Sequence, residues 1–179
     1  PRHLMKCKGH DCAFYFERFH AAVRRFITAQ ETIVANARYP IKAIAENPHI
    51  FRTLGLGYAN LGSLIMSYGY GYDSVEGRAI CGAITAIMTG VSYATSAEMA
   101  EKRGPFPGYA ANSAHMLRVM RNHCRAAYGE PSGYEKVSIA PVPLDHASLN
   151  DAKNLTIKGF AELSAHAKTA WNKAITLGE

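Results

Sequence analysis

The sequence predicts an all-α chain of about five helices, forming a single helical domain over residues 1–179. Three observations predict it. Apolar residues recur at intervals of three and four along five separate stretches. Clusters of proline and glycine separate those stretches. No segment shows the sustained apolar–polar alternation of a half-buried strand, so a fold built on strand pairing has little to start from.

The first helix is expected from near Asp11, where Phe16, Phe19, Val23, Phe26, Ile27, Ile33 and Val34 line one face and Glu17, Arg18, Arg24, Arg25 and Glu31 lie between them. It ends before Tyr39–Pro40, because a proline pushes the residue ahead of it out of the helical region. A short helical turn over 41–46 is expected to stop at Asn47–Pro48. The second helix is YANLGSLIMSY, halted by the turn YGYGYDS, in which Asp73 or Ser74 supplies a cap. The longest helix follows, SVEGRAICGAITAIMTGVSYATSAEMAEKRG, with Ile80, Ile84, Ile87, Val91 and Ala94 on one stripe. Gly77, Gly82 and Gly90 inside it each cost about 1 kcal/mol relative to alanine, which close packing against a neighbour would offset. After RGPFPG comes a helix over 111–128, with Met116, Leu117, Met120 and Cys124 inward and Arg118, Arg121 and Arg125 outward. The segment GEPSGYEKVSIAPVPLDHA holds at most one short strand, KVSIA. A last helix is expected over roughly 154–177, burying Leu155, Phe160, Leu163, Ala167, Trp171 and Ile175.

Composition narrows the function. The chain has 179 residues, 48% of them hydrophobic and 19% charged, the profile of a globular domain and not of a disordered one. No uninterrupted apolar run approaches the ~18 residues that cross a bilayer, and PRHLMKCKGH has no apolar signal core. A cytoplasmic location and no membrane partner are therefore expected. Four cysteines, Cys7, Cys12, Cys81 and Cys124, are too scattered for a disulfide scaffold and read as thiols. The net charge of +6 permits a polyanionic partner, but the densest basic group, Arg118, Arg121, His123 and Arg125, lacks interleaved aromatics, so nucleic acid is not expected.

LGLGYANLG, residues 54–62, resembles a phosphate loop by its glycines alone. A dinucleotide fingerprint needs G-x-G-x-x-G directly after a buried strand, whereas here the glycines stand at 55, 57 and 62 after NPHIFRT. No Gly-Lys-Ser/Thr follows, so a P-loop is excluded as well. Gly55, Gly57, Asn60 and Gly62 are instead read as a structural motif, in which small residues, Ala59 among them, let a helix start close against another element. His3, Cys7, His10 and Cys12 are of zinc-ligand type but match no zinc spacing, and no metal site is expected. His115 and His123 are two helical turns apart, too far to share a metal. Asp145–His146 is either an acid–base pair or a helix cap; Tyr68, Tyr70 and Tyr72 either meet a ligand or pack their turn. No catalytic residue follows from local spacing.

As text the chain is distinctive. RTLGLGYANLGSLIMSYGYGYDSVEGRAICGAITAIMTGVSYATSAEMA, then GPFPGYAANSAHMLRVMRNH and APVPLDHA, flanked by TAQETIVANARYP and AKTAWNKAITLGE, closely resemble the catalytic subunit of adenosylcobalamin-dependent (class II) ribonucleotide reductase over residues 20–179. The resemblance implies the helical part of a ten-stranded α/β barrel that reduces ribonucleotides to deoxyribonucleotides by radical chemistry with adenosylcobalamin. It also implies that the chemistry resides in an Asn-Pro-Cys-x-Glu loop, a pair of redox cysteines and a Pro-Thr-Gly-Thr type phosphate loop. This chain has none of them: ENPHIF carries histidine where the cysteine would stand, and the sequence stops before the phosphate loop would arrive. The expectation is a fragment of a larger catalytic barrel, inert alone, with no cofactor of its own. Its partner would be the remainder of the barrel, with a nucleotide substrate bound only in the complete enzyme. The alternative is an independent helical module that binds a partner or self-associates as a homo-oligomer.

Overall fold

The computed structural model describes residues 5–8, 11–151, 157–158 and 162–179, with side chains over 14–149 and 162–179. The all-α class holds: the described residues form seven helices, and a small three-stranded sheet accompanies them. In chain order the elements are β1 (Met5–Lys8), β2 (Asp11–Phe14), α1 (Phe16–Asn36), α2 (Lys42–Phe51), α3 (Leu61–Ser67), α4 (Val75–Arg103), α5 (Tyr109–Tyr128), α6 (His146–Asp151), β3 (Ile157–Lys158) and α7 (Leu163–Gly178).

α4 is the axis of the molecule. Ser74 caps its start, its Oγ accepting from the Gly77 amide at 3.0 Å, and Lys102 and Arg103 complement the dipole at its end. The expected stripe is the core: Ile80, Ile84, Ile87, Val91 and Ala94 are all buried. α7 packs along it through Leu163, Ala167, Ala170, Trp171 and Ala174, and α1 through Phe19, Val23 and Ile27. A Cβ placed on Gly90 would lie 3.0 Å from Ala170 Cβ, so this glycine sets how closely α4 and α7 approach. By length and composition α4 would also suffice to cross a membrane, but half of its most apolar stretch is buried among these neighbours.

Four expectations are corrected. α1 begins at Phe16 and not near Asp11, because Asp11–Phe14 pairs antiparallel with β1, Cys7 opposite Cys12, and parallel with β3. A strand of four residues is defined by its partners, which helical spacing in DCAFYF does not show. α2 runs through Pro48 to Phe51, past the expected stop; it ends where Arg52 takes a left-handed conformation (φ 50°) and donates its amide to the Pro48 carbonyl. The second helix is shorter than its pattern, starting at Leu61, because Asn60 is itself left-handed (φ 65°). KVSIA, allowed at most one short strand, forms none, and Val137 and Ile139 are exposed. The last helix starts at Leu163, with Ile157–Lys158 in the sheet; Leu155 and Phe160 lie outside the described side chains.

Candidate functional site

The segment between α2 and α3 holds the residues singled out in the sequence. Residues 53–59 are neither helix nor paired strand, bracketed by the left-handed Arg52 and Asn60. Their burial alternates: Leu54 and Leu56 are half-buried against the core, while Thr53, Gly55 and Gly57 are exposed. Among the described residues, the backbone of 53–59 makes one hydrogen bond, from Gln30 Nε2 to the Gly55 carbonyl at 2.8 Å. Burial thus alternates with period two along a backbone that pairs with no strand among the described residues.

Two ties hold the segment in place. Glu31 on α1 accepts Arg52 Nε at 2.7 Å and also pairs with its Nη2, fixing the start. Tyr58 Oη lies 2.5 Å from Thr85 Oγ1 on α4, fixing the end. Beneath the segment is an open cleft of about 270 Å³, walled by Phe19, Phe26, Leu56, Leu64, Ile84 and Met88 among others, and almost wholly apolar.

The four motif residues have different surroundings. A Cβ on Gly62 would meet the Tyr72 ring at 2.9 Å, whereas one on Gly55 or Gly57 meets nothing within 4 Å. The expectation that Gly55 and Gly57 serve close helix packing is therefore corrected: they stand on the outer side of the segment, and Leu54 and Leu56 make its inward contacts. Asn60 is the residue at the helix entry and makes no side-chain cap.

The remaining candidates separate as well. Asp145 accepts from the Ser148 amide at 2.9 Å and from its hydroxyl at 2.5 Å, which caps α6 and holds the Asp145 carboxyl below its usual range. His146 does not face that carboxylate as a base; its Nε2 donates to the Ala127 carbonyl at 2.9 Å and its Nδ1 lies 2.6 Å from Ser164 Oγ. The ring thus pins α5 to α7, and burial pushes its pKa down. Burial pushes the Cys81 and Cys124 thiols up, away from thiolate character. On α5, Arg121 pairs with Glu135 at 2.8 Å and Arg125 with Glu130 at 2.6 Å, so two of the three arginine charges of the expected basic face are met by carboxylates, while Arg118 lies 3.0 Å from His115 Nδ1 and keeps its charge. Tyr68 packs against the core and burial pushes its hydroxyl up to about 12. No group of three metal-ligating side chains occurs among the described residues; His3 and His10 lie outside them.

One charged cluster leaves no mark in local spacing. Glu98 on α4 accepts from Arg24 on α1 at 2.6 Å and from Lys173 on α7 at 2.5 Å, tying three helices together. The Arg24 hydrogen bond, aided by Lys173, holds the Glu98 carboxyl down at about 2. The three residues are 74 and 75 positions apart, beyond any local spacing rule.

Comparison with known proteins gives a consistent answer. Residues 3–175 match the family model described as ribonucleotide reductase, barrel domain. A vitamin B12-dependent ribonucleotide reductase of Agrobacterium fabrum is 55% identical over 174 residues, 97% of this chain and 13% of that protein. Its counterpart in Bradyrhizobium diazoefficiens is 52% identical over 166 residues, 93% of this chain and 12% of that protein. One from Rhodopirellula baltica is 42% identical over 176 residues, 98% of this chain and 14% of that protein. The chain thus spans between 12% and 14% of the length of these relatives.

Proposed function

Since the chain belongs to the ribonucleotide reductase barrel-domain family, we propose that it is a section of a cytoplasmic, vitamin B12-dependent ribonucleoside-diphosphate reductase. In this reading it supplies outer helices and one strand of the catalytic barrel, and it is inert by itself. The observation that carries the reading is the segment 53–59. Its leucines are anchored on the core, its backbone is unpaired, and the cleft beside it is open and apolar. Strands on either side, from the remainder of the same enzyme, would satisfy both backbone and cleft.

Catalysis in such an enzyme needs a radical-bearing cysteine, a carboxylate base and two reducing thiols held together against the nucleotide. Cys81 and Cys124 are half-buried on separate helices, with no carboxylate hydrogen-bonded to either. The cofactor finds no fit in the cleft either. A volume of about 270 Å³ is below even the range usual for drug-sized ligands, and the lining presents no array of polar groups for a corrinoid's amides. Adenosylcobalamin would be held by other parts of the complete enzyme, as would the nucleotide.

Two measurements test this. The purified chain, given ribonucleoside diphosphate, adenosylcobalamin and a dithiol, is expected to form no deoxynucleotide; turnover would refute the inert reading. Hydrogen exchange of the 53–59 amides is expected to be fast in the isolated chain and strongly slowed in the complete reductase. Equal rates in both would refute the strand reading.

A further inference from the structure

A second hollow, sharing no lining residue with the apolar cleft, lies where α1, α4 and α7 converge. It encloses about 100 Å³; α1 contributes His20 and Arg24, and α7 contributes His166, Thr169 and Lys173, beside an apolar wall that includes Phe16. Lys173 and Arg24 are both braced by Glu98, which is not itself part of the lining. Each cation keeps further N–H donors after that ion pair, since an ammonium has three and a guanidinium five.

The remaining polar groups are unspent. Among the described residues, neither the His20 ring nor the Thr169 hydroxyl has a hydrogen-bond partner. His166 Nε2 is buried without a hydrogen bond, its nearest opposite charge being Glu162 at 3.7 Å. Phe16 stacks on the His166 ring at 3.4 Å and fixes its plane. The local field is positive: besides burial, Arg24, Lys173 and His166 all oppose a proton on His20, and Glu98 alone favours one. One buried, unpaired ring nitrogen, His166 Nε2, stands with the half-buried His20 ring and the exposed Thr169 hydroxyl beside two held cations, a set of donors that suits an acceptor of negative charge.

We infer that this hollow binds a phosphate group, with Lys173 and Arg24 supplying charge and His20, His166 and Thr169 supplying directional hydrogen bonds. The volume admits one such group and has no room for a sugar or base, so an esterified phosphate would enter with its carrier outside. The inference is independent of the barrel reading, because it concerns only side chains present in this chain.

The experiment is a titration of the chain with inorganic phosphate at constant ionic strength, following the histidine ring signals by NMR. Saturable shifts are expected for the His20 and His166 ring signals, with the apparent pKa of His20 raised, since a bound anion opposes the surrounding Arg24 and Lys173 charges. Glu98 on α4 and Glu162 ahead of α7 are the fixed negative groups facing them. Lys173→Met is expected to weaken binding about tenfold, the loss of one charge-assisted hydrogen bond, with an unchanged circular dichroism spectrum. Thr169→Val, at an exposed position, is expected to weaken it severalfold and guards against misfolding of the first variant. Competition by adenosine monophosphate would extend the site to esterified phosphate, and failure to compete would confine it to the free anion. Equal shifts with chloride, or unchanged phosphate affinity in both variants, would overturn the inference.

Discussion

At the residue scale, the charged side chains of this protein act mostly as fasteners between helices. Glu98 is the strongest example, because one carboxylate serves cations from two different helices. Its pKa is depressed in the folded chain relative to the unfolded one, so the stabilisation is present above about pH 4.5 and is lost as pH falls toward about 2. Glu98→Gln is expected to lower stability by about 1–2 kcal/mol at neutral pH, allowing for solvent around the half-exposed Lys173. It should also flatten the acid limb of a plot of melting temperature against pH; an unaltered limb would show that the triad contributes nothing. His20 and His146 act in a neighbouring window and with an explicable sign. Their folded pKa values are lowered from 6.5, so the unfolded chain takes up protons the native state resists, and stability declines as pH drops below about 6.5. None of these pairings was legible in the sequence. Arg24, Glu98 and Lys173, or His146 and Ser164, meet only because helices pack. The capping role of Asp145 was legible, because it needs only Ser148 three positions on.

At the element scale, legibility follows the range of the forces involved. α4 and the inward faces of α5 and α7 were readable because a 3.6-residue stripe is recorded in consecutive residues. β1, β2 and β3 were not, because strands of two to four residues are defined by partners that local spacing does not show. The same distinction predicts how glycine substitutions divide. At Gly90 the added atoms of Gly90→Val would press on the Ala170 backbone at 3.2 Å, and overpacking of this kind costs about 1–3 kcal/mol. At Gly55 a methyl group meets open space, so Gly55→Ala should change stability by less than about 0.5 kcal/mol. Chemical denaturation of both variants checks the contrast; equal losses would mean that α4 and α7 adjust freely.

At the scale of the whole molecule, the core is real but incomplete on one side. α2 buries no residue, and Ile41, Ile44, Ile50 and Phe51 are 40% exposed or more, with Ile33 of α1 at 67%. Such a surface is larger than scattered apolar residues on a monomer would give. Sedimentation of the isolated chain is therefore expected to show concentration-dependent association; a monodisperse monomer at all concentrations would show the helical layer to be self-sufficient. The sequence announced the family through long runs of text, yet it misplaced the role of LGLGYANLG. Periodicity of two over Leu54 and Leu56 is too short to outweigh the glycines between them, and only the unpaired backbone of the folded chain exposes it.

That backbone carries a hazard as well as a purpose. A segment whose backbone, apart from the Gly55 carbonyl, makes no hydrogen bond among the described residues is a template on which further copies can stack, as in cross-β fibrils. Gly55 and Gly57 place no side chain on its outer side, so neighbouring copies would find nothing to interdigitate and gain little from alignment. Side chains at these two positions are therefore expected to favour fibril growth in any molecule whose segment is left uncovered. The double variant Gly55→Val, Gly57→Val should accordingly shorten the lag of thioflavin-positive aggregation, and an unchanged lag would assign that protection elsewhere.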